Sequence, residues 1–251
     1  MENKEKKTFR LGLIGRNISY SFSKGYFTKK FKALGLKHHS YENFDLNTIE
    51  EFEALLKTNR DIKGFNVTIP FKQAIIPYLS EVDYKANKIG AVNTIKFTKN
   101  GLKGYNTDVH GFKKSLEPYL KKQHTKALIL GTGGASKAVA FVFDELNIAY
   151  TFVSRNPKQN QLRYSDITSD TINECTILVN CTPLGTHPNI TDKPDIPYAY
   201  IQEKHLLFDL IYNPDKTAFL KEGASKGASI CNGLKMLELQ AEKAWEIWNS
   251  K

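Results

Sequence analysis

The sequence predicts an α/β fold made of two successive blocks of alternating strands and helices, with mostly parallel sheets. Three observations carry this. Short apolar runs alternate with amphipathic stretches along the chain, a glycine-rich turn joins an apolar run to a helical pattern near its middle, and the last segment is one long amphipathic stretch. At 251 residues the chain holds one large domain or two small ones.

In the first block, Phe9 to Ile14 is a short apolar run and reads as a buried strand. A helical pattern follows from about Ser23 to Leu34 and closes at Gly35. His39 to Phe44 reads as a strand. Ile49 to Lys57 reads as a helix, with apolar residues at Ile49, Phe52, Leu55 and Leu56. Ile62 to Thr68 is a strand, and Pro70 is expected to open a helix, because proline suits the first helical turn. Val92 to Thr98 is β-branched and strand-like, and Gly101 and Gly104 are expected to mark a turn.

The second block begins at Lys126. Ala127 to Leu130 is a strand, Ala135 to Leu146 a helix, and Tyr150 to Val153, Thr176 to Asn180 and Leu206 to Leu210 are further strands. The final helix spans about Gly233 to Trp248, with Leu234, Leu237, Ala241, Ala244 and Trp248 expected on one buried stripe. No solenoid repeat and no low-complexity segment interrupts the pattern. The join between the blocks falls near Asp108, and a ligand cleft between two such domains is natural.

Composition narrows the class. No run of about 18 apolar residues exists, so no membrane-spanning helix is expected, and the charged start Met1-Glu-Asn-Lys-Glu-Lys-Lys7 lacks the apolar core of a signal peptide. Cys175, Cys181 and Cys231 are odd in number and far apart, which suits the reducing cytoplasm rather than a disulfide framework or a zinc site. The net charge of +10 raises nucleic acid as a partner, but the lysines are dispersed, with small clusters only at Lys4 to Lys7 and Lys29-Lys30. Anionic small molecules fit that distribution better.

Gly131-Thr-Gly-Gly-Ala-Ser136 sits between an apolar strand and a helix. A dinucleotide site needs a first glycine for the tight turn and a second for close backbone approach to the pyrophosphate. The free N–H groups of the helix start then face the anion. Gly131 and Gly133 meet the first two needs, and Ser136 replaces the third glycine of the usual pattern. A ligand-free glycine turn is the alternative. The next strand ends Phe152-Val-Ser-Arg-Asn-Pro-Lys158 without the acid that an NAD ribose asks for. Arg155 and Lys158 are instead available for the 2′-phosphate of NADP, unless Arg155 is a solvated surface residue.

Three further segments carry polar groups where strands end: Asn66-Val-Thr-Ile-Pro-Phe-Lys72, Gly90-Ala-Val-Asn-Thr94 and Asn106-Thr-Asp108. Each has a plain reading as turn or capping chemistry, and Asp108 can simply cap the next helix.

Taken in order, these segments resemble the shikimate dehydrogenase family. The resemblance extends to Ser21-Phe-Ser23, Asn180-Cys-Thr-Pro-Leu-Gly185, Asp209-Leu-Ile-Tyr-Asn-Pro214 and Asn232-Gly-Leu-Lys-Met-Leu-Glu-Leu-Gln240, nearly end to end. It implies an N-terminal α/β substrate domain over residues 1–107 and 233–251, and a C-terminal Rossmann NADP-binding domain over 108–232, with a cleft between them. It implies an oxidoreductase acting on a CH–OH group: reversible NADPH-dependent reduction of 3-dehydroshikimate to shikimate, in chorismate and aromatic amino acid biosynthesis. The protein is then cytoplasmic, a monomer or homodimer, needs no metal, and binds neither nucleic acid nor membrane.

By the same resemblance, Ser21 and Ser23 hold the substrate carboxylate, and Thr68, Asn93, Asp108 and Gln240 bind the ring hydroxyls. Tyr212 lies near substrate and nicotinamide. Gly131, Thr132, Gly133, Gly134, Ala135, Ser136, Ser154, Arg155, Lys158, Leu210 and Gly233 serve the cofactor. Lys72 is the acid–base residue: cationic, it stabilises a developing alkoxide and donates the proton; neutral, it accepts the proton in reverse. Asp108 orients it. The chain departs from the family at the first loop, Tyr20-Ser-Phe-Ser-Lys24 in place of His-Ser-x-Ser-Pro, and at Ser154-Arg-Asn156 in place of Asn-Arg-Thr. The competing readings are a quinate/shikimate dehydrogenase of looser choice, a non-catalytic NADP-binding sensor, and a basic nucleic-acid binder.

Overall fold

The computed structural model describes residues 9–19 and 21–250; the basic cluster Lys4 to Lys7 and Tyr20 lie outside the described residues. The chain divides into two compact units, Met1–Thr107 with Ala241–Lys251, and Asp108–Gln240.

The first unit runs β1 (Phe9–Gly15), α1 (Phe22–Ala33), β2 (His39–Asp45), α2 (Glu51–Thr58), β3 (Ile62–Val67), β4 (Glu81–Val82), α3 (Tyr84–Ile89), β5 (Thr94–Thr98) and β6 (Gly101–Tyr105). These strands form one six-stranded sheet, ordered β2-β1-β3-β5-β6-β4. β1 pairs in parallel with β2 and β3, whereas β5 runs antiparallel to both β3 and β6. One sheet face is covered by Phe52, Phe65, Ile75 and Ile95, and the other by Leu11, Phe27, Ala241, Ala244 and Trp248. Burying aromatic side chains of this kind stabilises by roughly 1.5–3 kcal/mol each. Gly64 has a steric reason: a Cβ there would lie 2.2 Å from Trp248 Nε1, and that indole donates to Ile95 O at 2.9 Å.

The second unit runs α4 (Asp108–Leu116), β7 (Lys126–Leu130), α5 (Gly134–Glu145), β8 (Ala149–Val153), β9 (Gln161–Leu162), α6 (Ser169–Glu174), β10 (Ile177–Asn180), β11 (Leu206–Asp209), α7 (Ala218–Ser225), β12 (Ser229–Cys231) and the start of α8 (Leu234–Asn249). Its six strands are all parallel, in the order β12-β11-β10-β7-β8-β9. β10 and β11 are buried along their whole length, as parallel strands covered on both faces must be. Strand order reverses between β7 and β10, and ligands of open parallel sheets bind at the carboxyl ends beside such a reversal.

Three expectations need correction. Pro70 opens no helix: residues 70–75 are turns, and Lys72 O accepts from Val92 N at 2.7 Å instead of from an amide four residues on. Gly101 and Gly104 do not mark a turn but belong to β6. Gly104 is small there because Leu79 packs where a Cβ would stand, 2.5 Å away. The first sheet takes in antiparallel β5, while its β1–β2, β1–β3 and β4–β6 pairings are parallel, so the sheets are mostly parallel as expected. Leu234 is exposed and does not join the buried stripe of α8. Among the described residues no helix is long and apolar enough to cross a membrane.

Candidate active site

In the first unit, β3 ends and β5 begins in a buried polar cluster. Asn66, Asn93, Thr94 and Thr107 are all nearly inaccessible. Asn66 Nδ2 donates to Asn93 O and to Thr94 Oγ1, both at 3.1 Å. Asn93 Oδ1 accepts from Thr107 N at 2.7 Å, and its Nδ2 donates to Thr107 Oγ1 at 3.0 Å. Buried amides need such full pairing, and here it fixes which way each one points. Asn66 Oδ1 accepts from the buried phenol of Tyr41 at 2.7 Å, and Ser23 hydrogen-bonds the same phenol. Burial pushes that phenol far above its ordinary range. Tyr41 thus ties the start of α1 to the end of β3. Ser21 caps α1, accepting from Lys24 N at 3.3 Å.

Thr68 and Lys72 follow β3 and are half-buried, in the same turn segment whose Lys72 carbonyl is tied to Val92. The first unit therefore gathers Ser23, Thr68, Lys72 and Asn93 around one strand-end cluster. Tyr41 and Asn66 join it, and sequence reasoning assigned neither a role; their partners lie 25 and more residues away, so no local spacing reveals them.

In the second unit, Asp108 is buried and opens α4. Gly111, one turn on, meets α8 so closely that a Cβ would fall 2.5 Å from Met236 O and 3.1 Å from Gln240 Cβ. Residues three apart share a helix face, so Asp108 and buried Gln240 belong to the same α4–α8 contact.

The glycine turn borders a cavity of about 420 Å3, lined also by Ser154, Arg155, Asn156, Tyr164 and the segment Cys181–Leu184. Gly131 has φ +102°, a left-handed backbone that side chains resist, and a Cβ there would stand 3.0 Å from Thr182 Cγ2. Gly133 and Gly134 have nothing within 4 Å of a would-be Cβ, so the start of α5 is open to a ligand. No side chain caps this helix, which leaves its first N–H groups for an anion. A diphosphate is the kind of anion such a cradle suits, and exposed Arg155 lies on its rim. Its charge draws down the Tyr164 phenol pKa, which burial nonetheless raises overall.

The remaining expected cofactor residues fall elsewhere. Ala135 and Ser136 lie in the first turn of α5, and buried Ser136 donates to Gly133 O at 2.7 Å, bracing the turn from inside. Lys158 is exposed beyond the cavity, in a turn closed by its N–H to Gln161 Oε1 at 3.1 Å. Leu210 and Gly233 do not line the cavity but pack on each other; a Cβ on Gly233 would fall 2.1 Å from Leu210 O. Tyr212 is half-buried in the loop after β11. Among the described residues no cluster of His, Cys, Asp and Glu could hold a metal ion.

Asp209, fully buried at the end of β11, received no role from sequence reasoning. Burial raises its pKa to about 6, against the pull of three hydrogen-bond donors, Thr217, Ile211 N–H and Asn180. Its network with Asn180 stands directly behind the Cys181–Leu184 wall.

Comparison with known proteins adds the lineage. Residues 13–95 match the model of the shikimate dehydrogenase substrate binding domain. A shikimate dehydrogenase (NADP(+)) from Clostridium botulinum is 38% identical over 96% of each chain. The crystal structure of shikimate dehydrogenase from Aquifex aeolicus superposes with TM-score 0.85 and 33% identity, covering 99% of this chain and 94% of that one. That of shikimate 5-dehydrogenase from Thermus thermophilus, in complex with NADP(H) and shikimate, gives TM-score 0.85 and 31% identity over 96% and 94% of the two chains. The chain belongs to the shikimate dehydrogenase (NADP(+)) family.

Proposed function

We propose that the protein is an NADP-dependent shikimate dehydrogenase, reducing 3-dehydroshikimate reversibly to shikimate on the route to chorismate and the aromatic amino acids. The observation that carries the reading is the open glycine cradle of the second unit with Arg155 on its rim, in a chain 38% identical to a named NADP enzyme. The dinucleotide, when bound, supplies or accepts the hydride. Gly131, Thr132, Gly133, Gly134 and Ala135 receive its diphosphate, and Ser154, Arg155 and Lys158 receive the 2′-phosphate. Ser136, Leu210 and Gly233 act behind them by fixing the backbone.

In the first unit, Ser21 and Ser23 hold the substrate carboxylate, while Thr68 and Asn93 hold ring hydroxyls. Asp108, Tyr212 and Gln240 are further residues assigned to the substrate. Asn93 suits its task because its amide is already oriented by Thr107. Lys72 performs the proton step: its ammonium donates to the oxygen that gains charge as the ketone is reduced, and the amine takes the proton back in oxidation. Asp108, buried at the start of α4, is the residue assigned to orient it. Residues 1–107 with the end of the chain form the substrate domain, and the intervening residues the NADP domain. Three free thiols suit the cytoplasm, where the protein works as a monomer or homodimer.

The test is a spectrophotometric assay of the purified protein with shikimate and NADP. Shikimate-dependent formation of NADPH is expected; its absence at saturating concentrations refutes the reading.

A further inference from the structure

We propose that Asp209 is a positioning residue for the dinucleotide: its carboxylate, acting through the Asn180 amide, sets the Cys181–Leu184 wall of the cavity. The inference rests on the assignment of that cavity to NADP.

Asp209 ends β11 and stands beside Asn180, which ends β10 in register with it. Its Oδ1 accepts from Asn180 Nδ2 at 3.1 Å and from Ile211 N at 3.0 Å; its Oδ2 accepts from Thr217 Oγ1 at 2.6 Å. An ionised carboxylate only accepts, so it draws the NH2 end of Asn180 toward itself. The carbonyl end of Asn180 then faces Thr182, accepting from its N–H at 3.0 Å and its hydroxyl at 2.6 Å. Thr182 Oγ1 accepts in turn from Leu184 N at 3.2 Å, and Asn180 Nδ2 also reaches Leu184 O at 3.3 Å. One chain of hydrogen bonds therefore runs from Asp209 to the polar groups of the turn. Without an acceptor at position 209, Asn180 can rotate its amide and offer NH2 where Thr182 N–H needs a carbonyl.

That turn matters because it meets the glycine cradle. Thr182 Cγ2 stands where a Cβ on Gly131 would touch it, so the cavity is bounded there by both segments. A shift of the Thr182 turn changes the space the dinucleotide enters, and misplacements of about 1 Å are costly in sites that work by fit. The three hydrogen bonds offset the cost of burying this carboxylate, and stability alone gives no reason for a charge here. Its use here is orientation.

The experiment compares wild type with Asp209→Ala, Asp209→Asn and Asn180→Ala, below the melting temperature of each. It measures KM for NADP and for shikimate, kcat, and the Kd of NADPH by fluorescence titration. Asp209→Ala is expected to raise KM for NADP and the Kd of NADPH about tenfold or more, with KM for shikimate within about twofold. Asp209→Asn, which still presents an acceptor to Asn180 and Ile211, is expected to restore both to within about threefold of wild type. A lowered Tm with unchanged NADP parameters in Asp209→Ala makes the residue merely structural and overturns the proposal, as does failure of the Asn variant to rescue. If Asp209→Ala does not fold, Asn180→Ala decides, because it cuts the link while leaving Asp209 its other two donors: an unchanged Kd for NADPH overturns the proposal. A wild type that binds NADPH but does not oxidise shikimate refutes the enzyme assignment instead, and the titrations still read the role of Asp209.

Discussion

Removing the guanidinium of Arg155 should convert an NADP enzyme into one that hardly distinguishes NADP from NAD. Arg155 follows β8 on the rim of the glycine cavity, and the segment Phe152 to Lys158 around it contains no acid that could accept a ribose hydroxyl. A hydrogen bond to a charged group contributes about 1.5–3 kcal/mol. Arg155 is solvent-exposed, so screening puts it at the lower end, about 1.5–2 kcal/mol. At 1.4 kcal/mol per factor of ten, Arg155→Ala should lower kcat/KM with NADP roughly 10–30-fold. NAD lacks the 2′-phosphate, so kcat/KM with NAD should change less than about twofold. The assay is initial-rate oxidation of shikimate with each dinucleotide at low ionic strength. Raising the salt should shrink the NADP effect, because an exposed phosphate contact is screened. Equal losses with both dinucleotides would refute the reasoning, since the arginine would then serve something the two cofactors share.

Other expectations follow from the same geometry. Lys72→Ala should lower kcat about 10²–10⁴-fold, the usual contribution of a positioned acid–base group, with KM for shikimate little changed; undiminished turnover removes Lys72 from the proton step. Gly233→Ala places a methyl 2.1 Å from Leu210 O, a backbone atom that cannot rotate away. The cost should be near the upper end of overpacking, about 3 kcal/mol, and thermal unfolding should show a Tm drop of roughly 6–12 °C. Asp209 has a folded-state pKa raised to about 6 from 3.8, so its protonation favours the fold. That stabilisation is present below pH 3.8 and is lost as pH rises through 6. Urea unfolding of Asp209→Asn against wild type should show the difference moving in favour of the variant across that window; a difference flat with pH contradicts the buried, strained carboxylate.

Much of this architecture is written locally in the chain. The glycine turn, the apolar strand before it and the acid-free strand end after it lie close together in sequence, and the structure brings the turn and that strand end to one cavity. Lys72 was legible as a polar residue at a strand end, but the turn that holds it was not. Its carbonyl is claimed by Val92, twenty residues on, and local helix signals at Pro70 cannot anticipate a distant partner. The β5–β6 hairpin was missed for a related reason. Gly104 reads as a turn residue but is small because Leu79 packs against it. α3 went unseen because only six residues form it, capped by Asp83 and closed by left-handed Gly90, too short for a helical period to register. The polar supports, Tyr41 to Asn66 and Asn180 to Asp209, span 25 and 29 residues. Burial and pairing define them, and neither is visible before the strands are set side by side.

The most direct test of the central claim is kcat/KM measured for shikimate and quinate, each with NADP and with NAD. The account predicts the highest value for shikimate with NADP, a lower one when either partner is exchanged, and loss of turnover in all four pairs when Lys72 is replaced by alanine. No turnover of shikimate with either dinucleotide, or a clear preference for NAD, would contradict it.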